Sequence, residues 1–227
     1  DAALSANSGD TTDAIASPKL SLVFGPWHQT ELYLNGGYGF HSNDARGVNG
    51  TIDPITGDAV DEADPLVRSK GAEVGVRTSI LPGLQSSVSV WKLEIDSELL
   101  FIGDAGTNEP TRESRRYGIE FANFYQPVEW LSFDFDLSLS HARFKESAPE
   151  GNYIPGSLET AIAAGITVYD YEGFFGTVRV RHMGPRPLTE DDSVRSNATT
   201  LVNLRAGYAF NERWNVAVDV FNLFDAQ

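Results

Sequence analysis

The strongest constraint on the fold is a period-two alternation of apolar and polar residues, which recurs along most of the chain. It is clearest in residues 130–143, where Leu131, Phe133, Phe135, Leu137 and Leu139 alternate with Ser132, Asp134, Asp136, Ser138 and Ser140. Successive side chains of a β-strand point to opposite faces of its sheet, whereas an amphipathic helix repeats about every 3.6 residues. The pattern therefore predicts a strand with one apolar and one polar side.

Weaker forms of the same alternation predict an all-β chain. We expect ten strands, at about residues 19–25, 30–42, 70–81, 84–96, 115–126, 130–146, 158–171, 173–185, 200–211 and 214–224. Several of them exceed the length of about 5–6 residues that is commonest for strands. The expected architecture is an antiparallel up-and-down meander of long strands.

The connections between these strands alternate strictly between short and long. The short ones lie at about 26–29, 82–83, 127–129, 172 and 211–214, and the long ones at about 43–69, 97–114, 147–157 and 186–199. In a meander, this order places every tight turn at one end and every long loop at the other. That arrangement is typical of the wall of an outer-membrane barrel.

Tryptophan and charge also distinguish the two ends. Trp27, Trp130 and Trp214 lie at short turns. Because tryptophan prefers the boundary between membrane and water, we assign these three residues to a membrane interface. The chain has a net charge of −15, most of which lies in residues 1–18 and in the long connections. Such an acidic balance argues against a nucleic-acid partner, which needs a clustered basic surface.

Composition excludes several kinds of site. The chain contains no cysteine, so it has no disulfide framework, thiolate nucleophile or cysteine-ligated zinc. No run of 18 apolar residues predicts a transmembrane helix. None of the four histidines has a metal-binding spacing, and the acidic residues between 53 and 64 predict a solvated loop in preference to a calcium site. We therefore expect no catalytic residue, metal site or cofactor.

Five short segments carry a resemblance to a known family. They are residues 32–44, which end in G-x-G-F-x-S-x-D, then 68–75, 116–120 and 153–156, and finally 218–225, which read V-x-V-F-N-L-F-D. Together and in this order, they resemble barrel segments of TonB-dependent outer-membrane receptors. The resemblance covers almost the whole chain.

The resemblance implies a 22-stranded transmembrane barrel with an N-terminal plug domain. Residues 1–18 are then expected to be the remnant of an extracellular loop, and residues 19–227 a partial barrel domain that lacks the plug and the last strand. The implied protein is not an enzyme. It is an active-transport receptor in the outer membrane of a Gram-negative bacterium, which takes up a scarce nutrient such as a ferric siderophore. The implied partners are outer-membrane lipid and lipopolysaccharide, the TonB complex through the plug, and a small ligand such as a ferric chelate.

Two groups of arginines are candidates for ligand binding. Arg112, Arg115 and Arg116 cluster where a long loop re-enters a strand, and Arg181 and Arg186 lie in a later strand and in the region that follows it. In the vestibule of a receptor, such arginines would hold an anionic ferric chelate through charge-assisted hydrogen bonds. The alternative is that they compensate acidic neighbours or contact the phosphates of lipopolysaccharide.

Two other interpretations stay open at this point. A complete ten-stranded outer-membrane barrel, either an enzyme or a porin, would require the strands near 19–25 and 214–224 to pair. A soluble secreted β-sandwich, acting as a binding module, would require the face with Phe133, Phe135 and Leu137 to pack against a second sheet. In a receptor barrel, the same face would contact lipid.

Overall fold

The computed structural model describes residues 7–43, 45–53, 56–60, 63–97, 99–102, 107–110 and 112–225. The strands are β1 (Lys19–Trp27), β2 (Thr30–Ser42), β3 (Leu66–Thr78), β4 (Leu84–Ile95), β5 (Leu99–Ile102), β6 (Thr107–Pro110), β7 (Ser114–Val128), β8 (Leu131–Ala148), β9 (Gly151–Tyr153), β10 (Thr160–Tyr171), β11 (Phe174–Met183), β12 (Thr199–Asn211) and β13 (Trp214–Val220). One helical turn, α1 (Ala45–Val48), follows β2. Within these described segments, no helix has the length and apolarity to cross a membrane. The parts of the sequence predictions that concern residues 1–6, 44, 54–55, 61–62, 98, 103–106, 111 and 226–227 lie outside the described residues.

Ten of the strands form one antiparallel sheet, which we call the wall. Their order is β1-β2-β3-β4-β7-β8-β10-β11-β12-β13, with β9 attached to the end of β8 and β5 paired separately with β6. The predicted meander of ten long strands is therefore confirmed. In the described part of the chain, β1 and β13 lie at opposite ends of this order and do not pair. A closed ten-stranded barrel is not formed.

A few strand ends differ from those predicted. β13 ends at Val220 instead of 224, because Asn222 adopts a φ of 50° and its backbone N–H donates to Asn203 Oδ1 at 2.9 Å. β3 begins at Leu66 instead of 70, because Leu66 continues the ladder opposite Ser42. β5, β6 and β9 were not predicted, since three or four residues are too few to show an alternation.

All short connections lie at one end of the wall and all long ones at the other, as predicted. The short-turn end carries the β1–β2, β3–β4, β7–β8, β10–β11 and β12–β13 connections. The long-loop end carries the other four. Residues 7–18 also dock there, since Asn7 Nδ2 donates to the carbonyl oxygen of Ile52 at 2.8 Å, in the loop after β2.

The strands are tilted relative to these two ends. One row of cross-strand neighbours begins at Thr30, beside the β1–β2 turn, and passes through Phe135. The same row reaches Val202, near the long-loop end of β12. A row that climbs from one end of the strands to the other indicates the stagger that a sheet needs in order to close into a barrel.

The wall has one apolar and one polar face. We call the face with Phe133 and Phe135 the apolar face, and the face with Asp134 and Asp136 the polar face. The exposed side chains of the apolar face include Leu22, Val76, Val90, Ile119, Phe135, Ile166, Val178 and Val218. In the described residues, the only other sheet is the short β5–β6 hairpin. The β-sandwich interpretation therefore lacks its second layer.

Candidate ligand-binding surface

Polar contacts between neighbouring strands organise the polar face. They join Arg77 to Glu31 at 2.5 Å, Tyr33 and Asn35 to Glu73 at 3.2 Å, and Arg205 to Asp219 at 3.7 Å. Each of these pairs spans two adjacent strands, which is the arrangement in which cross-strand side chains interact. The polar face is thus a wettable surface with fixed charges.

Glycines on the polar face make room for large side chains of the next strand. Four such pairs lie directly opposite each other: Tyr33 and Gly75, Trp91 and Gly118, Asp134 and Gly165, and Phe175 and Gly207. A Cβ at Gly75 would lie 2.8 Å from Cε1 of Tyr33 and closer still to Cζ. Because glycine lacks a Cβ, the tyrosine ring can lie across β3.

The first of two Asp–Arg rows on the polar face is an ion pair that crosses a glycine. Asp134 on β8 and Arg179 on β11 are the two cross-strand neighbours of Gly165 on β10. Arg179 Nη2 lies 3.4 Å from Asp134 Oδ1. A Cβ at Gly165 would lie 2.5 Å from the same oxygen, so the absence of a side chain leaves the carboxylate its place above β10.

The second row has the same two charges but an alanine between them. Asp136 and Arg181 are the cross-strand neighbours of Ala163. Both are exposed, and neither forms an ion pair with the residues that the structure describes. The cation of this row is therefore available to a ligand, whereas the cation of the first row is engaged.

The long loops after β8 and β11 pack on each other at the long-loop end. We call residues 148–159 and 184–198 the loop platform. Backbone hydrogen bonds join its two segments, from Tyr153 N to Glu190 O at 2.9 Å and from Gly156 N to Pro187 O at 2.8 Å. Ala142, Phe144 and Ile154 form a buried cluster where the platform meets the polar face of β8. The platform is thus a packed structure.

Arg112 ties the loop platform to the start of β7. Its guanidinium lies 4.6 Å from the centre of the Phe144 ring and donates to the carbonyl oxygens of Glu146 and Gly151, at 3.0 and 3.1 Å. It also forms an ion pair with Glu190. Burial raises the pKa of the Glu190 carboxyl, and the charge of Arg112 opposes that shift only in part. Both terminal nitrogens of Arg112, Nη1 and Nη2, are thus engaged in these contacts.

Glu159 is the second anchor of the loop platform. Arg143 Nη2 lies 3.2 Å from its Oε1, and Arg195 pairs with its Oε2. Burial raises the pKa of the Glu159 carboxyl, but hydrogen bonds from Arg195 and Arg143 outweigh burial and lower that pKa below its ordinary value. This carboxylate therefore stays charged at neutral pH and holds the platform to β8.

Comparison with known protein families identifies the family of this chain. Residues 1–223 match the family model described as TonB dependent receptor-like, beta-barrel. The chain belongs to this family. Its family and its structural neighbours are transport receptors and not enzymes.

Solved structures of TonB-dependent receptors share the fold. The ferric yersiniabactin uptake receptor FyuA from Yersinia pestis matches with a TM-score of 0.72 and 18% identity, over 91% of this chain and 32% of that one. The ferric-catecholate import receptor Fiu from E. coli K12, in its closed form, matches with 0.68 and 15%, over 91% and 30%. The copper transporter OprC matches with 0.69 and 17%, over 92% and 33%. This receptor chain therefore spans about a third of each, and we infer from these relatives that its wall is part of a 22-stranded barrel.

Four of the five arginines predicted to bind ligand lie on the polar face or at the loop platform. Arg116 lies half-buried on the polar face of β7, and Arg181 lies exposed on the polar face of β11. Arg186 is exposed on the platform. Arg112 is engaged in the contacts described above. Arg116 and Arg181 therefore share the polar face, and Arg186 lies on the loop platform.

Arg115 does not lie on the same face of the wall as Arg116 and Arg181. It lies on the apolar face, where its Nε is 3.5 Å from the carboxylate of Glu94 on the neighbouring strand. Its neighbour Arg116 points to the polar face, because one step along a strand reverses the side. Arg115 and Arg116 therefore lie on opposite faces of the wall. The sequence analysis grouped the two arginines because they are adjacent, although adjacent residues of a strand face opposite sides.

The three tryptophans predicted at short turns all lie at the short-turn end. Trp27, Trp130 and Trp214 are 60%, 36% and 72% exposed. The ring centre of Trp130 lies 4.6 Å from that of Tyr171. Phe174, Tyr208 and Phe210 continue the aromatic band, with ring centres 4.7 and 5.0 Å apart. Sequence reasoning recognised the tryptophans but missed the Tyr and Phe members, although their positions beside the same turns were the available signal.

A groove near the short-turn end of the polar face was not predicted. It has a volume of about 770 Å³, and the residues that line it include Glu31, Arg77, Phe124, Asp134 and Asp136. These residues come from β2, β3, β7 and β8, so only the strand register brings them together. Among the described residues, no group of three or more His, Asp or Glu side chains is placed to hold a metal ion.

Proposed function

We propose that the chain forms part of the wall of an outer-membrane receptor that takes up a scarce nutrient, such as a ferric siderophore, with energy supplied through TonB. The contrast between the two faces of the wall carries this proposal. The apolar face exposes side chains such as Ile119 and Phe135, and the polar face carries fixed charges. Apolar area of this extent is costly in water but is covered by lipid in a transmembrane barrel.

The two ends of the wall fit the two sides of an outer membrane of a Gram-negative bacterium. Barrels of this class have short periplasmic turns, longer extracellular loops and aromatic girdles at the interfaces. The band of Trp27, Trp130 and Trp214 then marks the periplasmic interface. Residues 1–18 belong to an extracellular loop region and residues 19–227 to the barrel domain. Membrane lipid and lipopolysaccharide surround the apolar face.

We assign ligand contacts to the arginines that face the barrel interior or its mouth. Arg181 is exposed and has no ion-pair partner in the described residues, Arg186 lies exposed on the loop platform above it, and Arg116 shares the polar face. A guanidinium presents a planar fork of donors that matches the oxygens of an anionic chelate. Arg112 has a positioning role, because it holds the platform beside these cations.

Energy would reach the ligand through a plug domain inside the barrel, which contacts the TonB complex. The groove at the short-turn end offers such a domain a polar surface, with Glu31, Asp134 and Asp136 among its charged side chains. Support for this step comes from membership of the receptor family. The chain itself spans about a third of the receptors that it matches.

The test uses the full gene product in its own bacterium under iron limitation. The probe is radioactive iron presented as a ferric tris-catecholate, which is an anionic chelate. We expect uptake to fall to background when either this gene or the gene for TonB is deleted. Arg181→Gln should weaken uptake by about two- to fivefold, the value of one exposed charge-assisted contact.

Arg205→Gln is the matched control on the same face, because Arg205 is already paired with Asp219 at 3.7 Å. Its uptake should equal that of the wild type. Uptake that continues without TonB would contradict the energy source. If uptake of copper ion alone depends on the gene and iron uptake does not, the receptor stands and the ferric ligand is wrong. A gene product found in the soluble fraction would contradict the membrane location.

A further inference from the structure

A cluster of cations lies on the apolar face at its long-loop end. Its centre is the carboxylate of Glu94, which lies 3.1 Å from Lys70 Nζ, 2.7 Å from Lys92 Nζ, 2.9 Å from Lys145 Nζ and 3.5 Å from Arg115 Nε. We call these five residues the outer cation cluster. Four strands contribute to it, and all of its members project from the side of the wall that is otherwise apolar.

The outer cation cluster keeps a surplus of positive charge. Among the residues that the structure describes, its four cations form ion pairs with Glu94 and with one further carboxylate, that of Glu113, which is 2.8 Å from Lys145 Nζ. Lys70 and Lys92 are 53% and 55% exposed, whereas Glu94 is 9% exposed. Because an ammonium group has three donors, both lysines retain donors that point away from Glu94. The surplus is notable on a chain with a net charge of −15.

The cluster borders the apolar part of the same face. Val74, Val90 and Ile119 occupy one row of cross-strand neighbours, immediately on the short-turn side of the row that contains Lys92. All three are exposed. The change from charged to apolar side chains therefore takes place between two neighbouring rows of side chains on this face.

The height of this border fits the edge of the hydrocarbon region. Lys92 lies eight positions along β4 from Leu84, at the short-turn end. At about 3.3 Å per residue and a tilt of about 35–45°, this is roughly 20 Å across the membrane. The apolar band of outer-membrane barrels is about 25 Å tall. The remaining cations lie further towards the long loops, at the level of lipid head groups.

We propose that the outer cation cluster binds the phosphate groups of lipopolysaccharide, the phosphorylated glycolipid of the outer leaflet. The inference rests on the outer-membrane location proposed above. Phosphate oxygens accept the strong charge-assisted hydrogen bonds that lysine and arginine donate. The acyl chains of the same molecule would cover Val74, Val90 and Ile119 below the cluster. A soluble anion would not account for the placement of these cations on the face that contacts lipid.

The experiment measures the lipopolysaccharide that stays bound to the full gene product after purification from outer membranes and extended washing in detergent. The test variant is Lys70→Gln/Lys92→Gln/Arg115→Gln. The control, Arg77→Gln/Arg179→Gln/Arg205→Gln, removes the same charge from the polar face. One cation near an anionic lipid surface changes binding by about fivefold. We therefore expect the test variant to retain at least about fivefold less lipopolysaccharide, and the control to stay within about twofold of the wild type.

Lipid composition identifies the bound group. Diphosphoryl lipid A added to washed protein should bind, and its dephosphorylated form should bind at least about fivefold more weakly. Equal retention of lipopolysaccharide by wild type and test variant would overturn the proposal. Retention of phosphatidylglycerol in its place would overturn it as well. If the triple variant does not give a heat-modifiable folded product, Lys70→Gln and Lys92→Gln carry the test singly, each with a loss of about two- to fivefold.

Fractionation separates this inference from the proposed function. A gene product that is absent from the outer membrane would overturn both. A product that is present there, and that takes up the chelate, but whose lipopolysaccharide retention is unchanged in the test variant, would overturn only the lipid site.

Discussion

The apolar and polar faces of the wall share the same ten strands but are specified in different ways. On the apolar face, side chains such as Val90 and Ile119 are exposed, so apolarity and approximate size are what the position requires. On the polar face, Tyr33 depends on the glycine opposite it at position 75. The difference teaches that a lipid-facing surface depends on composition, whereas the interior depends on particular pairs of residues.

The largest test of this comparison places a charge on the apolar face. Phe135 lies on β8 and is 39% exposed, with its ring centre 6.1 Å from that of Phe121. Phe135→Arg would put a guanidinium into hydrocarbon, and we expect a loss of about 2–4 kcal/mol in the free energy of unfolding. The measurement is the denaturant midpoint of the full gene product in lipid vesicles.

Ser138→Arg is the matched control, because it adds the same side chain to the polar face of the same strand. The free energy of unfolding should change by less than about 0.5 kcal/mol. Similar losses in the two variants would show that the two faces do not differ in their surroundings, and the assignment of Phe135 to lipid would then be wrong.

The next largest effect comes from filling a glycine gap on the polar face. Gly75→Ala places a Cβ against the ring of Tyr33, so the ring or the strand must move. Overpacking of this kind costs about 1–3 kcal/mol. In a Tyr33→Ala background, the same substitution should cost much less, because the obstructing ring is gone. A double-mutant cycle of unfolding free energies measures this coupling, and a coupling near zero would contradict the pairing.

The loop platform offers a smaller, local effect. Arg112→Gln removes the ion pair with Glu190 and the contact with the Phe144 ring, in a region where Arg112 is only 22% exposed. We expect about 1–2 kcal/mol of local destabilisation, seen as faster amide hydrogen exchange in residues 148–159 with little change in the strands. Arg186→Gln is the control, and its platform exchange should match that of the wild type. Unchanged exchange in Arg112→Gln would remove its positioning role.

The sequence predicted the wall well because period two is a property of the chain itself. The alternation in residues 130–143 is long and regular, and it correctly assigned Phe135 and Asp134 to opposite faces. The groove and the glycine gaps depend on which residues of different strands lie opposite each other, and no local pattern reveals that register. The face of Arg115 could have been predicted from alternation, but its grouping with neighbouring arginines took precedence. The packing of the loop platform depends on contacts between loops far apart in sequence, such as Tyr153 with Glu190.

A still smaller loss of stability is expected when the ion pair of the first Asp–Arg row is broken. Gly165→Ala would displace the carboxylate of Asp134 and release Arg179, whose side chain is 50% exposed. Exposed pairs contribute about 0–1 kcal/mol, so the unfolding midpoint should fall only slightly. If the loss instead approached that of Gly75→Ala, the flexible carboxylate would not be the group that gives way.

The reverse change, Ala163→Gly, tests why the second row is not paired. Without the methyl group, Asp136 can extend across β10 towards Arg181, as Asp134 does in the first row. A new ion pair would offset part of the cost of about 0.5–1 kcal/mol for glycine within a strand, so stability should change little. Binding of the ferric tris-catecholate should weaken by about two- to fivefold, because the free cation has gained an internal partner. If Arg181→Gln weakens binding and Ala163→Gly does not, the methyl group is not what keeps this cation available, and the explanation must lie elsewhere in the geometry of β10 and β11.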